Sequence, residues 1–291
     1  MQKEETQNKE TQIRRLEEIS HKLRVKVVKI FARFGSGHIG GSLSIIEILS
    51  VLYFHEMKFD PGNPLWEDRD RFILSKGHGC FTQYAILAEL GVLSEETLKH
   101  PYEIDSPIQG HPEYGTCPGV EISSGALGQG LSVGIGMALG ARIKNRPFRV
   151  YVVLGDGELN EGQVWEAFML APAYKLGNLV AIIDKNRFSL TDSTEKVLPC
   201  DPIDKKLEAF GWHVITIDGH SVKEIFDAFK IARTFESKPT AIIAQTVKGK
   251  GISFLADKAI SHSTTLSRKE AETALLELGC SEEEIIEALK K

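Results

Sequence analysis

From Ile13 to Phe34 the apolar positions Ile13, Leu16, Ile19, Leu23, Val27, Ile30 and Phe34 fall three or four residues apart, with charged residues between them. This is the period of an amphipathic helix, and it predicts one over 13–34 that ends in the glycine-rich "GSGHIGGS". Five other apolar runs are short: "RFILS" near 71, "RVYVVL" near 149, "LVAIID" near 179, "HVITID" near 213 and "AIIAQT" near 241. Most lack polar alternation, as strands buried on both faces do, and helical stretches separate most of them. Helix starts are signalled where a serine precedes a glutamate by three residues, at Ser44 with Glu47, Ser221 with Glu224, Ser267 with Glu270 and Ser281 with Glu284. The pattern predicts an α/β fold with a mostly parallel sheet flanked by helices and a ligand at the carboxyl ends of the strands. The segment from Pro101 to Gly130 is rich in Gly, Pro and Ser and reads as a long functional or mobile loop. No linker or repeat divides the chain, so one domain is expected over 12–291 behind a frayed segment 1–11.

Composition narrows the function classes. With 42% apolar residues, 291 residues can bury a sizeable core. Thirty-five basic residues stand against 40 acidic ones, a net charge of −5 without any basic stripe, which argues against nucleic acid as a partner. The mixed-charge start "MQKEETQNKETQIRR" has no apolar run, so neither a secretory signal nor a membrane anchor is expected, and the predicted compartment is the cytoplasm. The four cysteines form no C-x-x-C pair, which argues against a disulfide framework and a zinc site.

The stretch "VVLGDGELNEGQVWEA", 152–167, sets Asp156 between Gly155 and Gly157 at a strand-to-helix turn. Backbone amides there attract anions, so a carboxylate competes with a bound diphosphate unless a cation lies between them. Magnesium needs near-octahedral oxygen coordination, and Asn186, after the next strand, offers an amide oxygen beside a loop carbonyl. On the residues alone two other readings stay open. Asp156 caps the following helix, or "GDG" with Asp184 is a dinucleotide site, although the fingerprint's third glycine position holds Asn160. Of nine histidines, His21, His55, His100, His213 and His220 lack a special neighbour. His38, His78 and His111 each follow a glycine, and His262 lies in "AISHSTTL"; all four are candidates for presentation from loops at the sheet's edge.

The "GDG" motif followed by Asn186, thirty positions beyond Asp156, resembles the thiamin diphosphate motif. Taken with "GSGHIGGSLS", "FILSKGHGC", "QGHPE", "SSGALGQGLSVGIGMA" and "KGKGISF" in that order, nearly the whole chain is similar to transketolase. The resemblance implies the thiamin diphosphate-binding fold and transfer of a two-carbon ketol unit from a ketose phosphate to an aldose phosphate, as in the pentose phosphate pathway. It implies thiamin diphosphate with Mg2+, or Ca2+ or Mn2+, as cofactors. Asp156, Asn186 and the main-chain carbonyl of Phe188 match the metal ligands. Gly125, Leu127, Gly155, Asp156, Gly157, Glu158, Asn186 and Leu190 match cofactor-binding positions. His38, His78, His111 and His262 match the catalytic channel, and Glu161 matches an acid near a subunit contact. Two departures stand out: Ile39 follows His38 where the family often has proline, and Ser261 and Ser263 flank His262 where it has an aromatic residue or glycine. A full transketolase adds a pyrimidine-binding domain, so the resemblance further implies a C-terminal partner subunit supplying that domain, in a hetero-tetramer of two plus two chains. The alternatives are a subunit of a related thiamin diphosphate carboligase and a non-catalytic binding protein of the same fold.

Overall fold

The computed structural model describes residues 2–190 and 192–290, with side chains described from Gln7. Five strands form one all-parallel sheet: β1 (Arg71–Leu74), β2 (Val150–Gly155), β3 (Leu179–Lys185), β4 (His213–Asp218) and β5 (Thr240–Gln245). Their spatial order is β1-β2-β3-β5-β4. The five runs picked out by hydrophobicity are these five strands.

Successive strand residues point to opposite faces, and the buried residues divide accordingly. Tyr151, Val153, Val180, Ile182 and Ile242 join a core with Leu23, Val27, Ile48 and Ile225. These belong to α1 (Gln2–Phe34), α3 (Ile46–Val51) and α8 (Val222–Ala232). Val150, Val152, Ala181, Ile183 and Ile243 join a second core with Ile135, Phe168 and Leu207, carried by α5 (Gly130–Ile143), α6 (Gly162–Ala173) and α7 (Ile203–Phe210). Both faces are covered, which is why the strands read as unbroken apolar runs. Edge strand β4 is only partly covered, with Ile217 its one buried residue. The other α-helices of five residues or more are α2 (Ile39–Leu43), α4 (Cys80–Glu89), α9 (Arg268–Glu277) and α10 (Glu282–Ala288).

Three local expectations change. Helix α1 reaches back to Gln2, through the segment expected to be frayed. Lys9 helps to hold this extension, bonding Asp227 at 2.5 Å and lying over the Phe226 ring of α8. Ser44 does not start a helix: it follows α2 as its C-cap, and its hydroxyl turns inward to Asp184 Oδ2 at 2.7 Å. At Ser221 only half of the capping box closes, because the Glu224 carboxylate accepts from Asp218 N instead. Ser267 and Ser281 form complete capping boxes.

Between the turn Thr97–Lys99 and α5 no helix or strand forms among the described residues. This loop is nevertheless tied down: Tyr84 Oη donates to His111 O at 3.1 Å, and Glu121 pairs with Arg69 at 2.8 Å. All four cysteines are free thiols, and no described helix is long and apolar enough to cross a membrane.

Candidate active site

The carboxyl ends of β1, β2, β3 and β5 converge on one cleft, and its floor is organised by Asp184 near the end of β3. Asp184 is fully buried. Its Oδ2 accepts from Lys76 Nζ at 2.5 Å, Ser44 Oγ at 2.7 Å and Asn186 Nδ2 at 2.8 Å, while Thr246 Oγ1 donates to Oδ1. Burial works to raise the Asp184 pKa, but the Lys76 ammonium and these hydrogen bonds outweigh it and hold the group below the ordinary carboxylate range. Lys76 spends a further hydrogen on Gly41 O at 2.8 Å. A buried ion pair is tolerated when the remaining polar valences are filled in this way.

Asp156 sits one residue past β2, 3% exposed. Gly157 N donates to its Oδ1 at 3.0 Å and Arg187 N to its Oδ2 at 2.7 Å. Two neutral donors do not offset burial. Desolvation, followed by the nearby Asp184 charge, pushes the Asp156 pKa up to about 7. Asn186 gives its amide N–H to Asp184, an acceptor-only partner, so its Oδ1 is the end left toward the cleft, where Phe188 N also meets it at 3.2 Å.

These contacts separate the three readings of "GDG". Asp184 is fully buried and held by four protein donors, so it is not available to a ribose and the dinucleotide reading fails. Asp156 does cap a short turn, Gly157–Asn160, but α6 begins only at Gly162 behind Glu161, so helix capping accounts for little of this carboxylate. An under-compensated buried carboxylate beside an amide oxygen is chemically suited to a hard cation. Among the described residues no three His, Cys, Asp or Glu side chains converge to hold a metal ion. A cation here would therefore use a mixed oxygen set with one carboxylate, as Asp156, Asn186 and the Phe188 carbonyl offer.

Glu158 is buried with both carboxylate oxygens engaged by protein donors. Ser75 Oγ and Gly128 N (2.9 Å) donate to Oε1, and Gly155 N donates to Oε2 at 3.1 Å. It thus staples the end of the 101–130 loop to the β1 and β2 termini. Two glycines leave little room for a side chain. A Cβ on Gly157 would lie 3.1 Å from Ser189 Cα, and Gly125, at φ +139°, would drive one to 2.8 Å from the His111 ring.

The four glycine-turn and loop histidines meet. His38 lies centrally, with ring centroids 5.7 Å from His78, 5.7 Å from His111 and 5.3 Å from His262, and His78 and His262 are 5.0 Å apart. Burial lowers the pKa of all four, and for His262 burial and then the Lys248 charge bring it down to about 3. All four rings are therefore neutral at pH 7, able both to donate and to accept. Lys248 Nζ bonds His262 Nδ1 at 2.9 Å. Nδ1 must accept from the ammonium, which places the His262 proton on Nε2. Burial and then the Lys76 charge push Lys248 down to about 8. His38 Nδ1 is buried without a protein partner.

One cleft of about 200 Å³ is lined by His38, His78, His111, His262, Gly125, Leu127, Gly155, Asp156, Gly157, Glu158, Asn186, Phe188 and Leu190. The sequence-predicted site residues thus come together. Lys76, Ser189 and Lys248 also line it, and sequence reasoning missed them. The signal for the lysines is present in "LSKGHGC" and "KGKGISF", each a lysine just past a strand end and followed by glycine. Glu161 lies outside, exposed at the N-cap of α6.

Residues 16–288 match the family model described as "Transketolase, thiamine diphosphate binding domain". The chain is 39% identical over 280 residues to one of the apulose-4-phosphate transketolase subunits of Phocaeicola vulgatus, covering 96% of this chain and 98% of that one. It is 41% identical over 256 residues to the 6-deoxy-6-sulfo-D-fructose transketolase subunit SqwG of Clostridium sp. (strain MSTE9), covering 88% and 93%. The solved transketolase of Campylobacter jejuni superposes with a TM-score of 0.86 at 33% identity; 96% of this chain is covered, but only 46% of that one.

Proposed function

The chain belongs to the transketolase family through its thiamin diphosphate-binding domain, and from that premise we propose that it is the diphosphate-binding subunit of a two-chain transketolase. The observation that carries this reading is the convergence of four neutral histidines and the Asp156–Asn186 oxygen pair in one cleft at the carboxyl edge of the sheet. The near-complete length match to two named transketolase subunits supports the two-chain organisation. The partner would supply the pyrimidine-binding domain in an assembly of two plus two chains. The substrates are a ketose phosphate donor and an aldose phosphate acceptor, exchanging a two-carbon ketol unit.

When bound, thiamin diphosphate supplies the electron sink for cleaving and forming a carbon–carbon bond beside a carbonyl. Asp156, Asn186 and the Phe188 carbonyl would hold Mg2+, and Ca2+ or Mn2+ would suit the same oxygen donors. Gly157 would let the backbone approach the diphosphate closely at the following turn. His38, His78 and His111 offer neutral rings to the sugar hydroxyls, and His262 presents an N–H on Nε2. Glu158 positions the loop that carries Gly125 and Leu127. The leucine at 190, at φ +52° and exposed, forms part of the cleft's lip.

The test is reconstitution. This chain and a chain carrying a pyrimidine-binding domain are purified apart, then assayed singly and mixed, with Mg2+ and thiamin diphosphate. Donors include ketose phosphates and a 6-sulfo ketose; acceptors are aldose phosphates. Turnover is expected only in the mixture and with phosphorylated sugars. Robust turnover by this chain alone would overturn the two-chain reading, a mixture that fails to take up thiamin diphosphate would overturn the site assignment, and exclusive use of the sulfo sugar would overturn the substrate class.

A further inference from the structure

Beside the cleft, Arg24 of α1, Glu47 of α3 and His220, just ahead of α8, form a buried line of contacts that the proposed function does not use. Their side chains are 7%, 12% and 11% exposed. Arg24 Nη1 donates to Leu43 O at 3.0 Å and to Lys250 O at 2.7 Å, and its Nη2 donates to Glu47 Oε1. Glu47 Oε2 meets His220 Nδ1 at 3.0 Å, and Val247 N donates to His220 Nε2 at 2.8 Å. A backbone N–H can only donate, so Nε2 carries no proton; the ring is neutral, with its hydrogen on Nδ1 directed at Glu47. Burial works to raise the Glu47 pKa, but the His220 hydrogen bond and the Arg24 charge outweigh it, and the group stays an acceptor.

What this line grips is the turn that carries Lys248. Val247 precedes Lys248, whose ammonium reaches His262, and Lys250 closes the same turn. Leu43 ends α2, whose Gly41 O holds Lys76. The turn is built on Gly249 at φ +74° and Gly251 at φ +95°, and a Cβ on Gly251 would lie 2.6 Å from Arg24 Cδ. Backbone bonds tie the turn through Gly249 N–H to Gly40 O at 3.1 Å and Asp257 N–H to Lys248 O at 2.9 Å, and at its start the Val247 N–H is held by the His220 side chain. We propose that His220, backed by Glu47 and Arg24, is a positioning residue for the cleft: its Nε2 anchors Val247 N–H and thereby sets where Lys248 holds His262. Only its consequence for thiamin diphosphate rests on the function proposed above.

The test uses the full chain, wild type and with His220→Ala or His220→Gln. Alanine removes the acceptor, whereas the glutamine side-chain oxygen can reach toward the place of Nε2. Amide hydrogen exchange over 245–252, thermal unfolding, and calorimetric titration with thiamin diphosphate and Mg2+ are measured on each. In His220→Ala, exchange at Val247 should quicken about tenfold and the thiamin diphosphate Kd should rise about tenfold, the scale of one lost hydrogen bond. His220→Gln should recover most of both, with a Tm between those of the alanine variant and wild type. Unchanged Val247 exchange in His220→Ala, or a glutamine variant no better than alanine in exchange and Kd, would overturn the proposal. Should wild type take up no thiamin diphosphate either alone or mixed with the pyrimidine-domain chain, the function reading fails, and the exchange rescue alone decides the role of His220.

Discussion

Replacing Asp156 by asparagine should make the metal-free chain more stable and useless for cofactor binding. The group lies 3% exposed, with a pKa raised from the ordinary 3.8 to about 7, chiefly by burial. In the unfolded chain the carboxyl ionises near 4, so between roughly pH 4 and pH 7 folding takes up a proton. A raised pKa of this kind leaves the fold's stability intact at low pH and erodes it as pH climbs through about 7. At about 1.4 kcal/mol per pH unit, the span from 3.8 to about 7 corresponds to about 4 kcal/mol lost by about pH 8. Asparagine carries no charge and escapes this loss. It keeps one acceptor oxygen, but its NH2 end faces one of the two backbone N–H groups of Gly157 and Arg187, a cost of about 1–3 kcal/mol. The balance favours Asp156→Asn by about 1–3 kcal/mol at about pH 8, and the advantage should vanish by about pH 5, where the wild-type carboxyl is protonated. Thermal unfolding in chelator at both pH values measures it, with about 2–4 °C per kcal/mol expected for a large domain. Calorimetric titration with Mg2+ and thiamin diphosphate reads the other half, where the variant should show no metal-dependent uptake. A variant less stable than wild type at both pH values, or one that binds as well, would refute the view that Asp156 carries a charge waiting for a cation.

Asn186→Ala should weaken metal-dependent thiamin diphosphate binding less than Asp156→Asn does, since a neutral amide contributes less to a hard cation than a carboxylate; titration of both variants ranks them. Glu158→Ala leaves Ser75 Oγ, Gly128 N and Gly155 N without their acceptor, so denaturant unfolding should show a loss of about 3 kcal/mol and hydrogen exchange at Gly128 should quicken. His111→Ala should raise the donor's KM by about fivefold with the thiamin diphosphate Kd little changed, as loss of one hydrogen bond to a sugar hydroxyl implies; the opposite split in steady-state kinetics and titration would refute a donor-facing role.

Much of this site is legible in short stretches because its parts are local. Gly155, Asp156 and Gly157 are one turn, and each histidine sits in its own motif. What escapes is the wiring underneath. Asp184 gathers Ser44, Lys76, Asn186 and Thr246, and only Asn186 is near it in the chain, so no spacing rule connects them. Ser44 reads as a helix cap because serine three residues before glutamate is a local signal, while the carboxylate that draws its hydroxyl away lies 140 residues on. His220 reads as featureless for the same reason, since Glu47 is 173 residues distant. The added turns of α1 carry no apolar stripe and owe part of their docking to Lys9, an ordinary surface residue by composition.

The strand order has a consequence for how the molecule is made. β5 is the last strand of the sheet to be synthesised, yet it lies between β3 and β4, which precede it. While the ribosome is still short of Thr240, β3 has one bare hydrogen-bonding edge and β4 has no neighbour in the sheet. Asp184 also lacks Thr246 during that interval. The nascent chain therefore carries a sticky, incompletely neutralised edge until about residue 246 has emerged, and closure of the sheet coincides with arrival of the Lys248 turn. Closure of the sheet is therefore late, the cleft is complete only after His262 has followed, and a pause in translation between β4 and β5 would lengthen the window for aggregation.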